Sequence, residues 1–196
     1  MSKKNGQKKE NRQEDYKIIY KDCSKGIHSR VSVVKRKDGE LFIWKRPISD
    51  DHKHQESFRQ EFRKASLWRE FGVSKIRVYW HPDGRSLLKT YIKGPTLEKM
   101  LKEDHKFFHN KDKKPFKSLR KLFKKLVKSG YYIRDLGSRN LVYDGKRWHI
   151  IDSSSINPGW NESEARHMYK EELSKRWSKK ISKKEISSIK SFFDSI

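Results

Sequence analysis

The sequence is poor in features that would each indicate a class of protein. It has a single cysteine, Cys23, in 196 residues, so no disulfide can form within the chain and a reducing compartment fits. No apolar run approaches the length of about 20 residues that spans a membrane. The first residues, 1–14, are basic and lack the apolar core of a signal peptide. We therefore expect a cytoplasmic protein whose residues 1–14 form a disordered tail.

Acidic residues are scarce beside basic ones. The chain has 49 Lys and Arg against 25 Asp and Glu, which gives a formal net charge of +24. Such a charge attracts polyanions, so an acidic protein or an anionic membrane surface is an expected partner. The charge is spread along the chain, which more often indicates a solvated surface than a binding site, and no RNA- or DNA-binding motif accompanies it. We therefore expect no sequence-specific binding of nucleic acid.

The sequence does contain three strong hairpin signals and no internal repeat. Asp-Gly pairs at residues 38–39, 83–84 and 144–145 each lie between runs rich in β-branched and aromatic residues. This pattern is typical of tight turns between antiparallel strands. It predicts three hairpins, which pair residues 30–34 with 41–45, 76–80 with 86–92, and 141–143 with 148–151.

Apolar residues at helical spacing predict four helices whose apolar stripes face the core. The stripes run over residues 58–71, 116–127, 165–177 and 186–196. Gly72 ends the first of these helices, and Asn161 with Glu164 forms a cap-like pair before the third. A capping box from Ser182 to Glu185 opens the last helix.

Three polar residues surround the third hairpin. Asp135 and Asn140 have the spacing D-x-x-x-x-N, and Asp152 follows the apolar run Trp-His-Ile-Ile. Because the two outer ends of a hairpin meet, we expect Asn140 and Asp152 to lie close together. Their oxygens suit Mg²⁺, and Asp135 could accept the proton of a hydroxyl group during phosphoryl transfer. The alternative is an ordinary hairpin with surface acids, since Asp and Asn are both common in loops.

The segment RDLGSRN, residues 134–140, resembles the H-R-D-L-x-x-x-N catalytic loop of the protein-kinase superfamily. The resemblance implies that Asp135 is the catalytic base, that Asn140 and Asp152 are metal ligands, and that ATP and Mg²⁺ are the cofactors. The sequence departs from the family pattern at several places, among them Gly137, where many serine/threonine kinases carry a Lys. Ile133 replaces the usual His, and Asp-Ser-Ser at residues 152–154 replaces D-F-G, which keeps the acid and loses the Phe and Gly.

The same resemblance implies an ion pair at the nucleotide phosphates. Lys45 in LFIWKRP is similar to the strand-three Lys of V-A-I-K. Glu61 is the best match for its partner on helix C, and Glu56 and Glu70 are the rivals. Glu61 lies beside an apolar stripe and can face inward. The alternative is a solvated surface Glu.

The remaining nucleotide contacts also come from the resemblance. Gly26 is the one glycine kept from the G-x-G-x-x-G loop that covers the phosphates, and Val31 matches the Val that packs on adenine. The segment YIKGPTLEKML is similar to the kinase hinge, so backbone groups near Tyr91 and Ile92 would bond the adenine edge. Lys89 falls near the gatekeeper position, which is usually apolar.

The order of predicted elements matches that of a kinase and implies an α+β, bilobal protein-kinase-like fold. A nucleotide-binding lobe would cover residues 15–93, and a reduced C-terminal catalytic lobe would cover 94–196. The stretch after Asp152 is short and lacks A-P-E, as in minimal bacterial kinases and in lipopolysaccharide-core sugar kinases. We expect a small serine/threonine kinase with a protein substrate. The alternatives are a sugar or lipid kinase and a non-catalytic pseudokinase that binds nucleotide or a partner.

Overall fold

The structure is a computed structural model that describes residues 15–25, 29–70, 72–104, 106–134, 136–152, 156–178 and 186–196. The chain divides into two compact units. The first contains the described residues up to Gln55 together with Tyr79–Tyr91, and the second contains Glu56–Val78 and Ile92–Ile196. The lobe boundary between residues 93 and 94 stays a prediction.

A five-stranded sheet carries most of the first unit. Its strands follow the spatial order β1-β2-β3-β5-β4, and the neighbours from β1 to β5 are antiparallel. Val34, Phe42 and Leu88 form the buried core of this unit. The strands are β1 (Tyr16–Lys25), β2 (Ser29–Arg36), β3 (Leu41–Pro47), β4 (Val78–Trp80) and β5 (Leu87–Thr90).

The first two predicted hairpins are confirmed. In the first, the N–H of Arg36 donates to the carbonyl of Glu40 at 2.9 Å, and Gly39 has a φ of +90°. In the second, the N–H of His81 donates to the carbonyl of Ser86 at 2.9 Å. A φ of this sign favours glycine, which explains why Asp-Gly marks these turns. Strand β1 was not among the predicted elements.

The second unit contains most of the helices and two small sheets. Its helices are α1 (His52–Glu70), which begins in the first unit, α2 (Leu97–Glu103), α3 (Lys114–Lys128), α4 (Glu162–Ser178) and α5 (Ile186–Asp194). Its strands are β6 (Tyr132–Ile133), β7 (Leu141–Tyr143), β8 (Trp148–Ile150) and β9 (Ile156–Asn157). β6 pairs with β9, and β7 pairs with β8.

The four predicted helices are confirmed as α1, α3, α4 and α5. At the end of α1, the N–H of Val73 donates to the carbonyl of Trp68 at 2.9 Å, and the N–H of Gly72 donates to the carbonyl of Arg69 at 3.0 Å. These two bonds are the pattern of a Schellman motif. At the start of α4, Asn161 and Glu164 each accept a backbone N–H of the other, at 2.9 and 3.0 Å. The predicted Ser182–Glu185 capping box lies outside the described residues.

The core of the second unit is rich in aromatic side chains. Their rings meet mostly edge to face, as Phe123 does with Phe193 at a centroid distance of 5.2 Å. Each fully buried ring of this kind contributes about 1.5–3 kcal/mol. This core therefore holds α3, α4 and α5 together beneath the hairpin β7–β8; its largest members are Trp68, Phe107, Phe108, Phe123, Trp148, Tyr169, Trp177 and Phe193.

Candidate active site

The hairpin β7–β8 is formed as the sequence predicts and brings Asn140 to the strand that leads into Asp152. Leu141 pairs with Ile150, and one step further the N–H of Ile151 donates to the carbonyl of Asn140 at 2.9 Å. Asp152 is the next residue. Asn140 and Asp152 therefore both lie at the open end of the hairpin β7–β8.

The carboxylate of Asp152 is half-buried and incompletely satisfied. Its Oδ1 is buried and accepts no hydrogen bond from the part of the chain that the structure describes. A buried carboxylate oxygen without a partner is costly, so such atoms usually face a ligand or ion. Both this carboxylate and the side-chain amide of Asn140 carry a hard oxygen donor, the type that Mg²⁺ prefers; their joint binding of a metal stays a prediction. The described residues contain no group of three or more His, Cys, Asp or Glu side chains placed to hold a metal.

Asp135 lies outside the described residues, but both ends of its loop are anchored in the core. On one side, Ile133 is fully buried in β6, which pairs with β9. On the other side, Leu136 is fully buried, and a 3-10 turn over Ser138–Asn140 follows. The side chains at positions 133 and 136, on either side of Asp135, are thus both buried.

Tyr169 of α4 makes two hydrogen bonds to the backbone at strand β6. Its hydroxyl accepts the N–H of Ile133 at 3.2 Å and donates to the carbonyl of Tyr131 at 3.0 Å. Burial raises the pKa of Tyr169 well above its usual value, so the phenol stays protonated and can keep both bonds. Sequence reasoning assigned Tyr169 only to the helix core and missed this role, which depends on a contact between residues far apart in the chain.

On the nucleotide side, the structure brings Val31 and Lys45 together. They are directly opposite each other on β2 and β3, so their side chains project on the same face of the sheet. Both are half-buried. Gly26, the predicted glycine of the phosphate-covering loop, lies outside the described residues.

Glu61 is buried on α1, with a relative exposure of 2%. The alternative of a solvated surface Glu is therefore wrong. The rival Glu70 is exposed, and the rival Glu56 contacts Arg59 at 3.6 Å. Burial lowers the pKa of Lys64, one helical turn further on, and the negative charge of Glu61 opposes that shift. The pairing of Glu61 with Lys45 stays a prediction.

The predicted hinge begins where β5 ends. The N–H of Tyr91 donates to the carbonyl of Leu41 at 3.1 Å, which extends the pairing of β5 with β3 by one residue. Tyr91 and Ile92 are half-buried. Lys89, near the predicted gatekeeper position, is buried opposite Ile43.

Gly94 lies against the backbone of β7. A Cβ at this position would come within 2.8 Å of the carbonyl carbon of Tyr143 and closer still to its oxygen. The contact is fixed on either side, because the N–H of Tyr143 donates to the carbonyl of Pro95 at 3.0 Å and Thr96 bridges to Val142. Only glycine fits here. Residues 94–96 of the predicted hinge segment thereby contact the hairpin that follows Asn140.

His149 and Asp144 form a pair that sequence reasoning missed. His149 is buried on β8, and its Nε2 lies 2.8 Å from Oδ2 of Asp144 in the turn. Burial alone would raise the pKa of Asp144, but hydrogen bonds from His149 and from the N–H groups of Arg147 and Lys146 outweigh it and hold that pKa at about 2. The pair braces the turn of the hairpin.

A cavity of about 350 Å³ lies elsewhere in the second unit, between α3 and α5. Its walls include Phe108, Phe116 and Phe192 with Lys117 and Arg120. None of the predicted site residues lines it. The chemistry suggested by the sequence is therefore not located in this cavity.

Comparison with solved structures shows a kinase-like fold. The chain is similar to the crystal structure of a Stt7 homolog from Micromonas algae soaked with ATP, a kinase-like protein, with a TM-score of 0.57 and 16% identity. The match covers 72% of this chain and 50% of that one, so the chain spans half the length of that structure. At this identity the similarity shows the fold alone, a mixed α+β architecture with an antiparallel sheet.

Sequence comparisons add no family assignment. No protein-family model matches the chain, and no curated protein matches it. Among the described residues, no helix has both the length and the apolar character that a membrane crossing requires.

Proposed function

We propose that this chain is an ATP- and Mg²⁺-dependent phosphotransferase whose acceptor is a serine or threonine hydroxyl of a protein. The observation that carries the proposal is the open end of the hairpin β7–β8. There Asn140 meets Ile151 through a backbone hydrogen bond, and Asp152 presents a buried oxygen without a partner among the described residues. The kinase-like fold supports the same function.

In the proposed reaction, the acceptor oxygen attacks the γ-phosphorus of ATP. The bond from that phosphorus to the β–γ bridging oxygen breaks, ADP leaves, and the hydroxyl proton passes to the carboxylate of Asp135. Asn140 and Asp152 would hold the metal by their side-chain oxygens. Magnesium bound there would neutralise charge on the phosphate oxygens.

On the nucleotide side, the proposal assigns Val31 to the adenine ring and Lys45 to the phosphates. Their shared face of the sheet supports this assignment, because one ligand can then contact both. Glu61 would hold Lys45, since a buried carboxylate needs a cation or hydrogen-bond donor. Backbone groups of Tyr91 and Ile92 would bond the adenine edge, and Gly26 would approach the phosphates.

Transfer of label from γ-labelled ATP to protein, sugar and lipid acceptors, each offered separately, tests the proposal with the full chain and Mg²⁺. We expect label on serine or threonine. Lys45→Ala and Asp135→Asn should each reduce turnover, the latter by about 10²–10⁴-fold because it removes the general base, while Asp135→Asn keeps ATP binding. Asp112→Asn, an exposed acid outside the site, is the control and should remain active.

Other outcomes separate the remaining functions. Label that appears only on a sugar or lipid acceptor would contradict the protein substrate and retain the phosphotransferase. Mg-dependent ATP binding without turnover on any acceptor would indicate a pseudokinase. Unchanged turnover in the Asp135→Asn protein would refute the mechanism.

A further inference from the structure

Helix α3 exposes cations along one side and no acid. Every charged residue in its sequence, KPFKSLRKLFKKLVK, is Lys or Arg. The opposite side of the helix is its buried apolar stripe, from Phe116 to Val127. The exposed cations are Lys114, Lys117, Arg120, Lys121, Lys124, Lys125 and Lys128.

Three of these cations have partners. Lys117 pairs with Asp112 at 3.2 Å, and Lys125 donates to the carbonyl of Gly72 at 3.1 Å. Arg120 donates from Nε and Nη2 to the carbonyl of Ser195, at 3.1 and 2.7 Å. The other four have no ion pair or hydrogen bond to any residue that the structure describes. We name these four the α3 lysine row: Lys114, Lys121, Lys124 and Lys128.

The row differs from the cations of α2 and α4, several of which have acid neighbours. On α2, Lys99 lies 3.7 Å from Glu103 and Lys102 lies 3.9 Å from Glu98. On α4, Lys170 contacts Asp194 at 2.6 Å. Like charges three or four positions apart on a helix destabilise it by about 0.2–0.5 kcal/mol per pair. The row therefore lowers the stability of α3. A binding role would explain why these lysines are present despite that cost.

The row is narrow and straight. At about 100° and 1.5 Å per residue, its four lysines fall within about 80° of the helix circumference and extend over roughly 21 Å. Such a line of point charges matches a linear polyanion better than it matches a compact anionic ligand.

We propose that the α3 lysine row binds the phosphate backbone of nucleic acid without sequence preference. Lys is a point charge that contacts phosphate without a fixed orientation. The row contains no Asn, Gln or Arg to read a base edge. This proposal is independent of the phosphotransferase function and agrees with the expectation that binding has no sequence specificity.

Two other polyanions fit the row less well. Helices that lie on bilayers insert an apolar face into the lipid, and the apolar stripe of α3 is buried in the protein core. The carboxylates of an acidic protein are not spaced as a continuous line, whereas the phosphates of nucleic acid form one with a charge about every 1.7 Å of a duplex.

The test measures binding of a short, fluorescently labelled DNA duplex of mixed sequence to the full chain over a series of salt concentrations. The row variant carries Lys→Ala at residues 114, 121, 124 and 128. The control variant carries Lys→Ala at four exposed lysines outside α3, residues 99, 102, 106 and 146, and so loses the same formal charge. Ala favours helix, so the row variant should fold, which its circular dichroism will check.

The expected result is specific to the row. Each phosphate contact contributes about −0.9 to the slope of log K against log salt. Removal of four contacts should therefore make the slope of the row variant less steep by about 3.6, whereas the slope of the control variant should change by less than about 1. Equal losses in the two variants would overturn the proposal. So would tighter row-dependent binding of phosphatidylserine vesicles or poly-glutamate than of the duplex.

Discussion

The hydroxyl of Tyr169 accepts a hydrogen bond from the backbone N–H of Ile133 at 3.2 Å. Ile133 precedes Asp135 by two positions, whereas Tyr169 lies on α4. The phenol also donates to the carbonyl of Tyr131, so one side chain holds the backbone at both ends of the short strand β6. The position of β6 thus depends on a helix that comes after it in the chain.

Replacing Tyr169 with Phe should lower the free energy of unfolding by about 1–3 kcal/mol, because the buried N–H of Ile133 loses its acceptor. Denaturant unfolding measures this change. Tyr20→Phe is the matched control, since Tyr20 is an exposed tyrosine on β1, and it should change stability little. Equal stability of the two variants would show that the Tyr169 hydroxyl does not anchor β6.

Gly94→Ala should destabilise the second unit by about 1–3 kcal/mol through a clash with backbone atoms that cannot move aside. The control is Gly145→Ala in the turn of the same hairpin. Gly145 has a φ of +92° but no neighbour within 4 Å of an added Cβ, so this variant has only the conformational cost of about 1–2 kcal/mol. Thermal unfolding compares the two. A Gly94→Ala protein no less stable than Gly145→Ala would contradict the close approach to Tyr143.

The Asp144–His149 pair predicts a dependence of stability on pH. The pKa of Asp144 is about 2 in the folded chain, below the value of about 3.9 for an unfolded Asp. The unfolded state therefore binds more protons between these values. The stabilisation is fully present above about pH 4 and is lost as the pH falls towards 2.

Urea unfolding of wild type and Asp144→Asn at several pH values between about 3 and 6 isolates this contribution. The variant cannot titrate at this position, so the difference in unfolding free energy should be largest at the higher pH and shrink as the pH falls. A difference that stays constant across the range would indicate that the Asp144 carboxylate is not stabilised in the folded state.

Comparing Asp152→Asn with Asp144→Asn should distinguish the role of Asp152 from that of Asp144. Because Oδ1 of Asp152 is buried without a hydrogen bond from the described residues, removing its charge should leave the metal-free protein equally stable, or raise its stability by about 1 kcal/mol. Asp144→Asn should instead lower stability. Mg-dependent nucleotide binding, measured by calorimetry, should be lost in the Asp152 variant and kept in the Asp144 variant.

The hairpins and long helices were predictable from the sequence because their signals are local. An Asp-Gly pair specifies its turn through backbone conformation, as at Gly39, and the stripe from Phe116 to Val127 specifies the buried side of α3. Placement of Asn140 near Asp152 followed from the hairpin alone. The inward position of Glu61 followed from its place beside the apolar stripe of α1.

Other features depend on contacts between distant residues, and local patterns do not show them. α2 has only two buried positions, Leu97 and Leu101, too few to form a stripe. Strands β6 and β9 are two residues long and exist because they pair with each other and Tyr169 anchors one of them. The partners of Asp144 and Gly94 likewise required the folded chain.

The bond from Ile133 to Tyr169 has a consequence for hydrogen exchange. An amide that donates to a buried side chain exchanges with solvent only when that side chain withdraws, and here withdrawal means the undocking of α4. The amide of Ile133 should therefore exchange at the rate of amides within α4. Its neighbour in the sequence, Arg134, is exposed, and its N–H donates to no acceptor in the part of the chain that the structure describes. This amide should exchange on the faster time scale of a surface turn.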